Sequence, residues 1–295
     1  MASGKTKESF AGPPIVIASG AMSEPVYFDT HIHLDALGDE PMIQREVCLA
    51  RRAGVGAFLV PGVHPRDWPR LLQTVGHFPE ALAAPGVHPL AAADWNAGVA
   101  KALAALLANP AVVAVGEVGL DGLIQGVSPE QQEKAFRHQI RLAVEAGLPL
   151  LIHCRKATAR LLDILHQEDA QKVGGIFHGF SGSRETALQA VKLHFAIGFG
   201  GPLTYPEARR GPEVLSALPE EWIVLETDAP DLSPHPHRQE DNRPSYLPLI
   251  AERVAHLRGW TLAQTAVTTT ANAKRILNLV QKEEGKPYFR RKGWT

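Results

Sequence analysis

The chain has 295 residues, 45% hydrophobic, 21% charged and 6% aromatic, an ordinary globular composition. With 30 Lys and Arg against 31 Asp and Glu the formal charge is −1, which excludes a strongly basic coat protein that neutralises many phosphates, though not an enzyme that grips one phosphate locally. Two cysteines are too few for a disulfide scaffold and imply a reducing, cytoplasmic setting; thirteen histidines stand out beside them.

No apolar run approaches the roughly 18 residues of a membrane span, so no membrane association is expected. Near the N-terminus Lys5 and Lys7 precede the apolar stretch Ile15 to Ala18, but Pro13 and Pro14 interrupt it and it is too short for a secretory signal. Met22-Ser-Glu-Pro25 leads directly into the first strand. Residues 1–21 are therefore expected to be a leader or tag-like extension, 22–282 a single barrel, and 283–295 a basic C-terminal tail.

Short β-branched or apolar runs punctuated by Gly and Pro predict eight strands: Val26 to Leu34, Val55 to Val63, Ala81 to Pro89, Val112 to Asp121, Leu148 to Cys154, Gly174 to Phe180, His194 to Gly200 and Trp222 to Ala229. Helical stretches lie between most of them. Gly98 to Ala108 is rich in Ala and Leu, and Ser128 to Gly147 carries an N-cap, Pro129 at the first position, a capping box through Gln131 and a terminal glycine. Strands alternating with helices imply a parallel sheet, and eight units predict a closed (β/α)8 TIM barrel. An open doubly wound sheet would usually carry a Gly-rich loop after its first strand, and none is present.

In such a barrel the C-terminal ends of the strands form the catalytic mouth. The first strand ends Asp29-Thr-His31-Ile-His33, and alternation puts the two imidazoles on one face, arranged to hold one cation. The fourth ends at Glu117, the fifth at His153, the sixth at His178 and the eighth at Asp228. Four histidines and two carboxylates suit divalent transition metals and exceed what one ion with an open position needs, so two ions are expected. Cys154, beside His153, should face the other way and pack; Trp222 and Phe58 read as core.

Six motifs then occur in order: Phe28-Asp-Thr-His-Ile-His33, Gly116-Glu-Val-Gly-Leu-Asp121, Ile152-His-Cys-Arg155, His178-Gly-Phe-Ser-Gly-Ser183, Ile197-Gly-Phe-Gly-Gly201 with Leu203-Thr-Tyr-Pro206, and Leu225-Glu-Thr-Asp-Ala-Pro230. Across Val26 to Leu279 this pattern resembles the TatD family of metal-dependent deoxyribonucleases among the amidohydrolase-like barrels, and its YjjV-like branch in particular. Asn242-Arg-Pro244, Asn272 and Arg275 also match family positions. The resemblance implies that His31 and His33 hold one metal, that His153 and His178 help hold a second, that Glu117 lies between them and that Asp228 completes the site. Glu117 stands where several related amidohydrolases place a carbamylated lysine. After Asp121 the aromatic and basic residues of many members are replaced by Gly-Leu-Ile-Gln-Gly, and Lys156 follows Arg155 where an acid is common.

The expected reaction is hydrolysis of DNA phosphodiester bonds, at single strands or 3′ ends, by water activated by two divalent ions (Mg, Mn or Zn). Asp228 is the candidate base and Glu117 holds the metals in register. His88, Arg155 and His64 are candidate phosphate contacts, with Asp29 an acceptor behind a ligand histidine. Ser181 and the Gly200-Gly201 turn are weaker candidates as anion donors. No obligate protein partner is evident. The alternative is an amidohydrolase-type enzyme acting on a small amide, lactone or phosphoester.

Overall fold

Each predicted strand forms, shorter than its apolar run: β1 (Tyr27–Asp29), β2 (Val55–Pro61), β3 (Ala81–Ala84), β4 (Val115–Asp121), β5 (Leu150–Arg155), β6 (Gly175–Phe177), β7 (Phe195–Phe199) and β8 (Ile223–Leu225). The computed structural model describes residues 27–281 and 289–291. The helices are α1 (Glu40–Arg52), α2 (Trp68–His77), α3 (Ala97–Leu106), α4 (Pro129–Ala146), α5 (Thr158–Gln167), α6 (Arg184–Lys192), α7 (Arg210–Ala217), α8 (Leu247–Arg258) and α9 (Leu262–Ile276). The signals read at the ends of α4 are all used: Ser128 and Gln131 form the capping box, and Gly147 closes the helix in the left-handed conformation. None of the described helices is long and apolar enough to cross a membrane.

The strands pair in parallel in the order β3-β2-β1-β8-β7-β6-β5-β4. Between β3 and β4 a single parallel bridge, Ala83 to Val112, replaces a ladder. Backbone hydrogen bonds complete this seam: Ala83 N–H donates to Ala111, Val113 N–H to Ala83, and just past β2 Gly62 N–H donates to Gly116 while Glu117 N–H donates to Gly62. The barrel is therefore closed, as the alternating pattern implies.

Strand alternation divides the core in two. Phe28, Leu59, Leu82, Ala114, Leu151, Ile176, Ala196 and Val224 fill the barrel interior, and Ala273, Ile276 and Leu277 at the end of α9 join them. Phe58, Val60, Ile152, Phe177, Ile197 and Leu225 belong instead to the larger layer shared with the helices. Trp222 departs from the core reading: it is half-buried, with Arg275 over its ring at 4.9 Å. The expected 1–21 extension lies outside the described residues, as does the 283–295 tail apart from Phe289–Arg291. That segment forms β10, antiparallel to β9 (Leu279–Gln281).

Candidate metal centre

Parity carries ionisable groups from the barrel interior to its mouth. In β5, Leu151 is an inner residue and Ile152 an outer one, so His153 faces inward; Ile176 and Phe177 set His178 the same way. In β4 simple counting from inner Ala114 would turn Glu117 outward. The register against β5 shifts between Gly116 and Val118, and beyond this bulge Val118 and Leu120 lie in the outer layer, turning Glu117 and Asp121 inward. Gly119 permits the close approach of the two strands: its φ is +152° and a Cβ there would lie 1.8 Å from the His153 carbonyl oxygen.

The ladder of β1 stops at Asp29, but the chain continues along the barrel through Thr30 N–H to Leu225 (2.9 Å), Ile32 N–H to Leu59 (3.1 Å) and His33 N–H to Ala229 (2.9 Å). His31 and His33 thereby present their Nε2 atoms 3.3 Å apart. Glu117, 3% exposed, lies between two histidine sets. Its Oε2 is 3.5 Å from His31 and 3.9 Å from His33. Its Oε1 is 2.7 Å from His153 Nδ1, 2.6 Å from His178 Nε2 and 3.5 Å from His88 Nε2. Asp228 Oδ1 sits 3.3 Å from His31 and 3.7 Å from His33.

The structure thus brings together His31, His33, Glu117, His153, His178 and Asp228, and adds His88 at the edge. His88 accepts the Leu90 N–H at Nδ1 (3.0 Å), which leaves the hydrogen of its neutral ring on Nε2, aimed at Glu117. Arg155 lies exposed at the end of β5. His64 is not gathered into the cluster; its ion-pair partner is Asp94, at 3.7 Å. Asp29 serves differently from expectation. Its oxygens accept Thr227 N–H (2.9 Å), Thr227 Oγ1 (2.5 Å) and the backbone N–H of His31 (3.3 Å), so it braces the turn after β8 rather than an imidazole. Asn242 supports the same turn through Thr227 and Asp231 carbonyls at 2.6 and 2.7 Å. The Gly200-Gly201 turn serves packing, since a Cβ at Gly201 would lie 1.9 Å from the Leu232 carbonyl oxygen. Cys154 packs as expected, its thiol 3.5 Å from Thr158 Oγ1.

Two carboxylates escaped the sequence reading. Asp121 lies 3.2 Å from His153 Nε2. Glu226, two residues before Asp228 and so on the same strand parity, accepts the Gly179 N–H at 2.6 Å. A Cβ on Gly198 would meet its Oε2 at 2.1 Å, so that glycine makes room for it.

Burial and mutual charge set the protonation of this cluster. Burial pushes the Glu117 carboxyl up, but His178, His88 and His31 overcome it and hold the group well below the ordinary carboxylate range. Burial and His178 keep His31 well below the ordinary imidazole value. Burial would also lower His178, yet Glu117, Asp228 and Glu226 drive it up to about 10. Burial raises Asp228 against the pull of His178 and His33, and carries Glu226 up to about 8 and Asp29 to about 7.

The donor set fits divalent metal. Ring nitrogens face each other at 3.3 Å in two places, His31 with His33 and His153 with His178, and carboxylate oxygens lie between. Three overlapping groups, His31–His178–Asp228, His31–His33–Glu117 and His88–Glu117–His153, have their ligand atoms within 4.8 Å of one another. Imidazole nitrogen with carboxylate oxygen suits zinc, manganese or iron.

Comparison with known proteins agrees with this geometry. Residues 28–278 match the family model for TatD related DNase. The chain is 37% identical over 252 residues to the uncharacterized metal-dependent hydrolase YabD of Bacillus subtilis, covering 85% of this chain and 99% of that protein. It is 35% identical over 241 residues to the 3′-5′ ssDNA/RNA exonuclease TatD of Escherichia coli, covering 79% and 92%. The crystal structure of the TatD homologue YjjV from Escherichia coli superposes with a TM-score of 0.81 at 31% identity, covering 87% of this chain and 99% of the other.

Proposed function

The chain belongs to the TatD-related DNase family, and from that premise we propose that it hydrolyses phosphodiester bonds of single-stranded DNA from 3′ ends, using two divalent ions. The observation that carries this reading is Glu117, whose two oxygens each face a separate set of histidines within one buried cluster. His31 and His33 with Asp228 would hold one ion, and His153 with His178 the other, with Glu117 shared. Bound divalent ions supply a more acidic water and neutralise charge developing on phosphoryl oxygens.

The chain's own groups do the rest. Asp228, whose affinity for a proton burial has raised, receives the proton of the attacking water. His88, with its hydrogen fixed on Nε2 by Leu90, donates to a phosphoryl oxygen. Arg155, exposed at the rim, offers a planar fork to a flanking phosphate. His64, 3.7 Å from Asp94, stands as a candidate contact to a phosphate further along the DNA strand. Free Cys48 and Cys154 fit the cytoplasmic setting.

The test is hydrolysis of end-labelled single-stranded DNA, duplex DNA and RNA by metal-stripped protein supplied with Mg, Mn or Zn, beside Asp228→Asn. Cation-dependent shortening from the 3′ end, lost in the variant, is the expected result. Protein that binds two ions yet cleaves no nucleic acid while hydrolysing a small ester would transfer the site to a small-molecule hydrolase.

A further inference from the structure

Asp121 lies outside the six side chains grouped around the metal positions, and its carboxylate has two partners. Oδ2 is 3.2 Å from His153 Nε2, the ring nitrogen turned away from Glu117. Oδ1 accepts the backbone N–H of Leu123 at 2.8 Å. Asp121 is 6% exposed, and its own backbone is held by the Gln132 amide, N–H to Oε1 at 2.9 Å and carbonyl from Nε2 at 3.1 Å. The carboxylate is therefore held at both oxygens and cannot swing aside without breaking both hydrogen bonds.

A neutral imidazole carries one hydrogen, and His153 has a carboxylate at each nitrogen: Glu117 at Nδ1, 2.7 Å away, and Asp121 at Nε2. Nδ1 is available as a ligand only when the hydrogen sits on Nε2. The geometry points to Asp121 as the positioning residue that keeps it there and, through its other oxygen, moors the loop after β4 to the metal centre. Two donors, Leu123 N–H and His153 Nε2–H, require two acceptors. An ionised carboxylate provides both; an amide of the same shape provides one and opposes the second donor with an NH2 group. The loop so moored carries Leu123, 51% exposed, so the same carboxylate ties a solvent-facing segment of the mouth to a ligand histidine.

This inference rests on the metal-dependent reading of the centre and not on the nature of the substrate. It is tested with Asp121→Asn and Asp121→Glu, by chelator competition for zinc and by proton–nitrogen spectra of the imidazoles in the zinc-loaded protein. Asp121→Asn is expected to bind zinc about tenfold to hundredfold more weakly, the usual effect of removing the partner of a ligand histidine. Its His153 Nε2–H signal should move from the wild-type position, and Asp121→Glu should recover part of both. Wild-type zinc affinity in Asp121→Asn, or an unmoved His153 signal, would overturn the proposal. If Asp121→Asn does not fold, the wild-type spectrum decides: a His153 Nε2–H shift characteristic of a hydrogen bond to a carboxylate supports the proposal, and an unbonded shift overturns it. Wild-type protein that binds zinc but cleaves no nucleic acid sinks the nuclease reading alone, whereas unchanged zinc binding in Asp121→Asn sinks this one alone.

Discussion

Glu117 and Asp228 are both buried acids beside histidines, yet their surroundings assign them different tasks. Glu117 is held ionised beside its imidazoles, which suits a ligand; burial raises the proton affinity of Asp228, which suits a carboxylate that takes up a proton. Glu117→Gln should weaken divalent binding by more than about a hundredfold, exceeding the range seen for groups behind a ligand, as read by calorimetry. Asp228→Asn should keep binding within about tenfold while turnover falls roughly 10²- to 10⁴-fold, the usual contribution of a general base. Retained turnover would remove Asp228 from that role. These two carboxylates and the four ligand-type histidines were legible in the sequence because each ends an apolar strand. Asp121 and Glu226 were not singled out, since a carboxylate that holds another side chain has the same local signature as one that is merely solvated. The bonds of Asp29 to the turn after β8 depend on the pairing of chain segments 198 residues apart, which no local pattern records.

All eight strands could be found from apolar runs, but their ends could not. The run Val26 to Leu34 extends beyond its ladder because its last residues hydrogen-bond irregularly around the mouth, as His31 and His33 do. The register shift in β4, where Glu117 turns inward, was also invisible: alternation can be counted from a sequence, whereas a slip between neighbouring strands cannot. Two glycines hold this region at close approach. Gly119→Ala would place a Cβ against the His153 carbonyl at a backbone angle that L-residues rarely adopt, and should cost about 3 kcal/mol or more and loosen metal binding. Gly198→Ala drives a methyl into the Glu226 carboxyl and should cost about 1–3 kcal/mol. Chemical denaturation of the metal-free proteins measures both; a neutral Gly198→Ala would mean that Glu226 has room to move.

The buried cluster also sets how stability responds to pH. In the metal-free protein Asp29 rises from 3.8 to about 7, Glu226 from 4.5 to about 8 and His178 from 6.5 to about 10. Between each pair of values the folded state binds more protons than the unfolded chain, so the associated stability is complete below the lower value and disappears as pH rises through the upper one. The melting temperature of stripped protein should therefore fall between about pH 7 and pH 10. Metal competes with the His178 proton for the ring nitrogen, so the stabilisation it confers should grow over that interval. Melting curves with and without zinc at several pH values check this; a stripped protein whose melting point climbs with pH would contradict it. The seam between β3 and β4 adds a mechanical consequence. One bridge joins these strands, and the cluster straddles the joint, with His88 following β3 and Glu117 on β4. A cation held by Glu117 would steady the β4 side of this joint and, through the His88 contact, the β3 side, as a clasp does on a hoop. Deuterium should enter the Ala83 and Val113 amides sooner than the Ile197 amide in stripped protein, and loading should slow the first two most, so that filling the site also tightens the wall that encloses it.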